Sequence, residues 1–279
     1  MSEILTIDYQ SSDLGLYLTK SLKNTGFAVL KNHPISKILI SSIYDEWKSF
    51  FNSNAKHNYL FHKVKQDGYF PYLSENAKGS QVKDLKEFYH IYDWGRYPSE
   101  ISDKTNQLIS EFKVMAKNLL SEININSPSN IQNKFSIPLD TMIDKSPQNL
   151  LRIIHYPPLS DNNNNPGSIR AGAHEDINLI TLLVAGSQPG LQVLKQDNTW
   201  MDVSTSKDYI VINVGDMLQE CSGGYYPSTT HRVLNPKDNG DIPRYSMPFF
   251  VHARDEVILS DKYTSKSYLD ERLKEIGLK

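Results

Sequence analysis

The chain has 279 residues, of which 39% are hydrophobic, so it can bury a core as one large domain or two small ones without staples. Its 30 basic and 32 acidic residues leave a formal net charge of −2, which argues against a surface that coats nucleic acid. No apolar stretch reaches the length of a membrane span, and the single cysteine, Cys221, excludes an internal disulfide and a cysteine-rich zinc site.

The N-terminus carries Glu3 and Asp8 where a secretory signal would carry basic residues and then an apolar core, so the expected location is cytoplasmic. Residues 4–7 read as a short strand, 14–22 as a helix and 27–30 as a second strand. From Ser36 a helical stripe begins, with Leu39, Ile43, Trp47 and Phe50 on one face and Ser36 as its N-cap. Leu108, Phe112, Met115 and Leu119 mark another helix, and both stripes read as core-facing surfaces.

Near residue 149 the pattern changes to short apolar segments at 150–156, 179–184, 191–194, 209–214, 231–234 and 245–251. Turn signals separate them at 157–158, 162–167, 189–190, 215–216, 223–224 and 235–240. Many short strands at this spacing predict a β-sandwich or barrel, not βαβ units. From Ser265 the tail returns to helix, with Leu269, Leu273 and Ile276 on one face. No linker is visible. The expected organisation is a single structural unit over 1–279: a mixed, helix-rich region over 1–148 that braces a β core over 149–254, then a C-terminal helix over 255–279.

Three constellations can carry chemistry. In His174-Glu175-Asp176, an extended backbone puts His174 and Asp176 on one side and turns Glu175 away. An imidazole and a carboxylate on one face suit a borderline metal, although a surface histidine beside an acid would read the same way. His231 opens a predicted strand 55 residues after Asp176. The three together offer two imidazoles and one carboxylate, the ligand set of the facial triad of non-haem Fe(II) oxygenases, which leaves three metal positions open. Arg244 and Ser246 share one face of the last apolar strand. A guanidinium pointing inward must meet an anion, either a small-molecule acid or a protein carboxylate. Tyr156, at the end of an earlier strand, can bring a phenol to the same anion or serve as a core tyrosine. Arg96, Arg170, Lys83 and Lys86 could meet an acidic substrate but read first as solvated surface cations, and Cys221 reads as a small buried hydrophobe.

The pieces LRIIHYPP (151–158), AHEDINLITLLV (173–184), PGLQVL (189–194), YIVINVGDML (209–218), GGYYPSTTHRV (223–233) and RYSMPFFV (244–251) occur in an order that resembles the isopenicillin N synthase-like group of Fe(II)/2-oxoglutarate-dependent oxygenases. GFAVLKNH (26–33), GY (68–69) and DLKEFYH (84–90) resemble that family's entry module more loosely. The thirteen residues from His231 to Arg244 suggest a longer hairpin turn at 237–240.

The resemblance implies a mainly β fold with flanking helices: a double-stranded β-helix, or jelly roll, braced by the N-terminal region and a C-terminal helix. It implies His174, Asp176 and His231 as iron ligands, and Arg244, Ser246 and Tyr156 as the clamp on the far carboxylate of 2-oxoglutarate. Plant members carry an Asn two places before that tyrosine; here Ile154 stands there, so this contact is expected to be missing or replaced. The implied cofactors are Fe(II), 2-oxoglutarate and O2, with ascorbate a candidate reductant. The implied activity is hydroxylation, or another oxidation, of a small molecule with release of succinate and CO2. Three alternatives stay open: a 2-oxoglutarate-independent oxidase of the penicillin-ring-forming type, a zinc hydrolase on the same ligands, and a non-catalytic small-acid sensor. The expected partner is a small-molecule substrate, with no nucleic acid and no membrane, and the chain is expected to be a monomer or weak homo-oligomer.

Overall fold

Alternating apolar side chains from two facing sheets meet in one interior layer. The computed structural model describes residues 3–76, 82–159, 167–203, 206, 208–236 and 242–275. In chain order the elements are β1 (Thr6–Asp8), α1 (Leu14–Thr25), β2 (Phe27–Lys31), α2 (Lys37–Phe51), a 3-10 turn (Asn54–Tyr59), β3 (Gly68–Phe70) and β4 (Glu87–Ile91). Then come α3 (Lys104–Asn126), α4 (Ser129–Gln132), α5 (Leu139–Met142), β5 (Leu150–Tyr156), β6 (Ala171–His174), β7 (Ile180–Val184), β8 (Leu191–Leu194) and β9 (Trp200–Asp202). The chain continues through β10 (Ile210–Val214), α6 (Asp216–Cys221), β11 (His231–Val233), β12 (Arg244–Val251) and α7 (Ser265–Glu275).

The larger sheet has eight strands in the order β1-β2-β10-β7-β12-β5-β4-β3, and the smaller has four in the order β6-β11-β8-β9. Only β1 and β2 pair in parallel among the described strands. Phe27, Val29, Ile154, Tyr156 and Val211 of the larger sheet meet Ala171, Leu191, Val193 and Val233 of the smaller in one buried cluster. The opposite face of the larger sheet is covered by α1, α2 and α3, whose Leu18, Trp47, Phe112 and Leu119 are fully buried. The jelly-roll expectation for the second half therefore holds. None of the described helices is long and apolar enough to cross a membrane.

Two helices of the brace have a local cause at one end. Ser36 caps α2 by accepting a hydrogen bond from Leu39 N through its hydroxyl. Gly26 ends α1 at φ +70°, with its N–H donating to Leu22 O at 2.8 Å. A Cβ on Gly26 would lie 2.3 Å from Thr229 Oγ1 and 2.6 Å from Pro227 O, so the glycine also lets α1 approach the segment that leads into β11.

The N-terminal region does more than brace. It supplies β1 and β2 at one edge of the larger sheet and β4 and β3 at the other, around a centre of β10, β7, β12 and β5. Sequence patterning missed β3, β4 and β9. In β4 the reason is physical: Glu87 and His90 are buried polar residues with partners inside the protein, so the apolar alternation is interrupted. The tail helix forms, with Tyr268 buried and Leu269 packed on the core, while Ile276 lies outside the described residues. So do most of the turn at 162–167 and the turn at 237–240.

Phe112 of α3 is fully buried and stacks on Phe249 of β12, with ring centroids 5.6 Å apart. We expect Phe112→Ala to cost about 3–5 kcal/mol. Urea denaturation checks this through a lower midpoint at an unchanged m-value.

Candidate metal and anion site

The smaller sheet brings the two histidines together. β6 and β11 pair antiparallel with His231 opposite His174, and the ring centroids stand 4.4 Å apart. His174 Nδ1 donates to Gly172 O at 2.7 Å and His231 Nδ1 donates to Thr229 O at 3.1 Å. These bonds set the tautomer and leave each Nε2 free to face the site.

Asp176 arrives differently from the sequence expectation. The run 171–183 is not one strand: β6 ends at His174, and β7 starts at Ile180 in the other sheet. Between them Asp176 O accepts from Asp216 N at 2.7 Å. Buried Asn178 donates to Ile180 O at 2.9 Å and to Thr181 Oγ1 at 3.0 Å. These bonds hold the chain in a turn that crosses between sheets. The turn still delivers the carboxylate, with Asp176 Oδ1 4.0 Å from His174 Nε2 and 3.8 Å from His231 Nε2. One ligand atom from each of the three residues lies within 4.8 Å of the others.

The electrostatics suit a cation. Burial and the neighbouring His231 lower the pKa of His174 to about 4, which keeps its ring neutral and ready to ligate. Burial pushes Asp176 upward, but the two imidazoles and hydrogen bonds from Thr181 and Asn213 outweigh it, so it lies below its ordinary value. Asp176 Oδ2 accepts from Thr181 Oγ1 at 2.6 Å and from Asn213 Nδ2 at 2.8 Å, which leaves Oδ1 to the site. Sequence reasoning missed these two orienting residues. Their signal was a polar residue inside each of the apolar runs Ile180–Val184 and Ile210–Val214.

The second cluster lies at the start of β12. Arg244 sits opposite Tyr156 in the β12–β5 register, and Ser246 sits opposite Ile154. Arg244, Ser246 and Tyr156 are all buried, and the Arg244 guanidinium lies 5.1 Å from the Tyr156 ring centroid. Its Nε donates to Gln188 O at 3.0 Å, while its Nη1 is buried with no hydrogen-bond partner. A Cβ on Gly186 would stand 2.3 Å from Arg244 Nη2, so the glycine makes room for the fork. A small cavity lined by Leu183, Leu191, Val211 and Arg244 opens beside it. Ile154 is buried in the interior cluster opposite Phe88, so apolar packing takes the place of the plant-type Asn.

Two cations expected at the surface are buried instead. Lys86 is held between Glu75 at 2.6 Å and Asp84 at 2.8 Å, and Asp84 also accepts from Gly172 N at 2.9 Å. Arg170 is 1% exposed, at the head of the strand that carries His174. Its Nη2 donates to Ile242 O at 2.9 Å, and burial with the nearby Arg244 lowers its pKa to about 10. Arg96 and Lys83 are exposed as expected. Cys221 is buried, and burial pushes its thiol up to about 12.

Comparison with known proteins agrees with this geometry. The model of the 2OG-Fe(II) oxygenase superfamily matches residues 147–253, and that of the non-haem dioxygenase N-terminal region, described from morphine synthesis, matches residues 6–111. A crystal structure described as an oxygenase from Shewanella oneidensis superposes with a TM-score of 0.89 at 47% identity, covering 99% of both chains. The chain belongs to the 2OG-Fe(II) oxygenase superfamily. A family protein from Caulobacter crescentus aligns at 29% identity and a TM-score of 0.82, over 99% of this chain and 100% of that one. Gibberellin 2-beta-dioxygenase 4 of Arabidopsis thaliana is 25% identical over 88% of this chain and 78% of its own length. The protein is thus a dioxygenase whose cofactor set is Fe(II), 2-oxoglutarate and O2.

The donor set fits iron: two imidazoles and one carboxylate whose ligand atoms converge within 4.8 Å. We expect Thr181→Val with Asn213→Leu to free the Asp176 carboxylate and weaken Fe(II) binding roughly 10- to 100-fold. Anaerobic Fe(II) titration checks this; an unchanged affinity would mean that the carboxylate is oriented by the backbone turn alone.

Proposed function

We propose that His174, Asp176 and His231 hold the Fe(II), that Arg244, Ser246 and Tyr156 hold the far carboxylate of 2-oxoglutarate, and that the enzyme hydroxylates a small molecule. The observation that carries this reading is the convergence of the three ligand atoms within 4.8 Å. When bound, the iron would let O2 act as the oxidant, with 2-oxoglutarate giving two electrons and becoming succinate and CO2, one oxygen atom going to succinate and the other to the substrate. The chain's own residues do the rest. The Nδ1 bonds to Gly172 O and Thr229 O turn each imidazole's Nε2 toward the metal, and the Thr181 and Asn213 bonds keep Asp176 aimed. Arg244 gives the cosubstrate one orientation before reaction. Leu183, Val211 and Leu191 keep water from the tail of the site. Stacked rings, Phe61 on Phe70 at 4.3 Å and Phe70 on Phe88 at 4.4 Å, pack in the same interior cluster as Tyr156.

A ring-closing oxidase would use the same metal ligands and take all four electrons from its substrate, leaving 2-oxoglutarate untouched. Incubation of the iron-loaded protein with labelled 2-oxoglutarate under air separates the two. Succinate above the metal-free control, abolished by Asp176→Ala, is expected; none across a panel of small acids and amino acids would favour the oxidase. A charge-assisted fork contributes about 1.5–3 kcal/mol. Arg244→Ala should therefore raise the KM for 2-oxoglutarate roughly 10- to 150-fold, and Arg244→Lys should recover only part of the loss.

A further inference from the structure

We propose that Arg170 is a second cationic contact for the far carboxylate of 2-oxoglutarate, so that the tail is taken by a pair of guanidiniums and not by Arg244 alone. The inference rests on the clamp assigned above. Both arginines address the same ring: Arg170 Cζ lies 6.0 Å and Arg244 Cζ 5.1 Å from the Tyr156 centroid. They are 1% and 2% exposed. Each keeps a buried N–H without a partner, Nε on Arg170 and Nη1 on Arg244. Among the described residues, no carboxylate lies within ion-pair distance of either.

An unsatisfied buried donor is costly, and two like charges facing one ring in a low-dielectric interior add repulsion. A carboxylate has lone pairs for several donors and charge for both cations. It would remove both penalties at once. A purely structural task for Arg170, tying Ile242 to the Tyr156 end of β5, needs one donor and no charge. The remaining orphan N–H and the positive charge are what that task leaves unexplained. The depressed but still basic pKa of Arg170 keeps it cationic at neutral pH.

The test uses the full chain loaded with Mn(II), with binding read by calorimetry and ligand-free stability by thermal unfolding. Arg170→Gln should weaken 2-oxoglutarate about 10- to 100-fold. Oxalate, which has the metal-binding end and no tail, should bind as in the parent. The ligand-free melting temperature should hold or rise, because a like charge has gone. Arg170→Lys keeps the charge and loses the fork, so it should fold and show a smaller loss, which covers the case in which the Gln variant does not fold. If Arg244→Gln weakens 2-oxoglutarate and neither Arg170 variant does, the proposal is overturned and the clamp stands. If none of these variants changes 2-oxoglutarate affinity, the clamp reading itself fails. A fall in melting temperature with equal losses for oxalate and 2-oxoglutarate would make Arg170 structural and also overturn the proposal.

Discussion

The site depends on the pairing of β6 with β11. Two histidines separated by 56 intervening residues become neighbours because their strands are hydrogen-bonded in one register. The side-chain period of a strand is two, so a slip of one residue would turn one imidazole to the other face and dismantle the ligand set. A shift in register between His231 and Val233 is confined to the far side of the histidine pair. The position of β11 is in turn set from outside the sheet, where Gly26 at the end of α1 packs on Pro227 and Thr229. The N-terminal region therefore reaches the chemistry at several points: this tight contact, Phe27 edge-on to the His231 ring at 5.5 Å, and Asp84, which accepts from Gly172 N on β6.

Buried charge in this protein falls into two kinds. Lys86 is neutralised by Asp84 and Glu75, Arg152 meets Glu75 and His90, and Glu87 meets Lys56 and His155. These groups are satisfied within the chain and organise the wall beside the barrel. Arg170 and Arg244 are different, since each is buried with an open donor. A fold tolerates an uncompensated buried charge only where something else supplies the counter-charge. That contrast separates charge satisfied within the chain from charge left with an open donor.

Much of this was legible in the sequence, and the exceptions have causes. The stripe from Leu39 to Phe50 predicted α2 because one face of a helix is buried and the other is wet. The short apolar runs after residue 149 predicted the barrel because turn residues punctuate them. Residue type and order singled out His174, Asp176, His231, Arg244, Ser246 and Tyr156 as candidates; the structure brings the first three together and sets the last three on the adjacent strands β12 and β5. The crossing of Asp176 between sheets was not legible, because the turn is held by backbone bonds to Asp216 and by the side chain of Asn178. Nor was the burial of Arg170 and Lys86, since a cation's exposure depends on partners distant in sequence, here Ile242 and Glu75. Thr181 and Asn213 were hidden because a single polar residue in an apolar strand looks like a tolerated defect until its partner is known.

The split origin of the larger sheet has a consequence for how the chain comes to be folded. Its centre, β10-β7-β12-β5, lies between strands made much earlier in the sequence, β2 against β10 and β4 against β5. Synthesis delivers the flanks before there is anything for them to flank. Until β10 and β5 emerge, β2 and β4 each have an open hydrogen-bonding edge, and such edges are templates for association between chains. Pairings this distant in sequence also close slowly, because loop entropy must be met before contacts form. The same arrangement means that residues 149–254 excised on their own would bare the edges of β10 and β5 that β2 and β4 now cover.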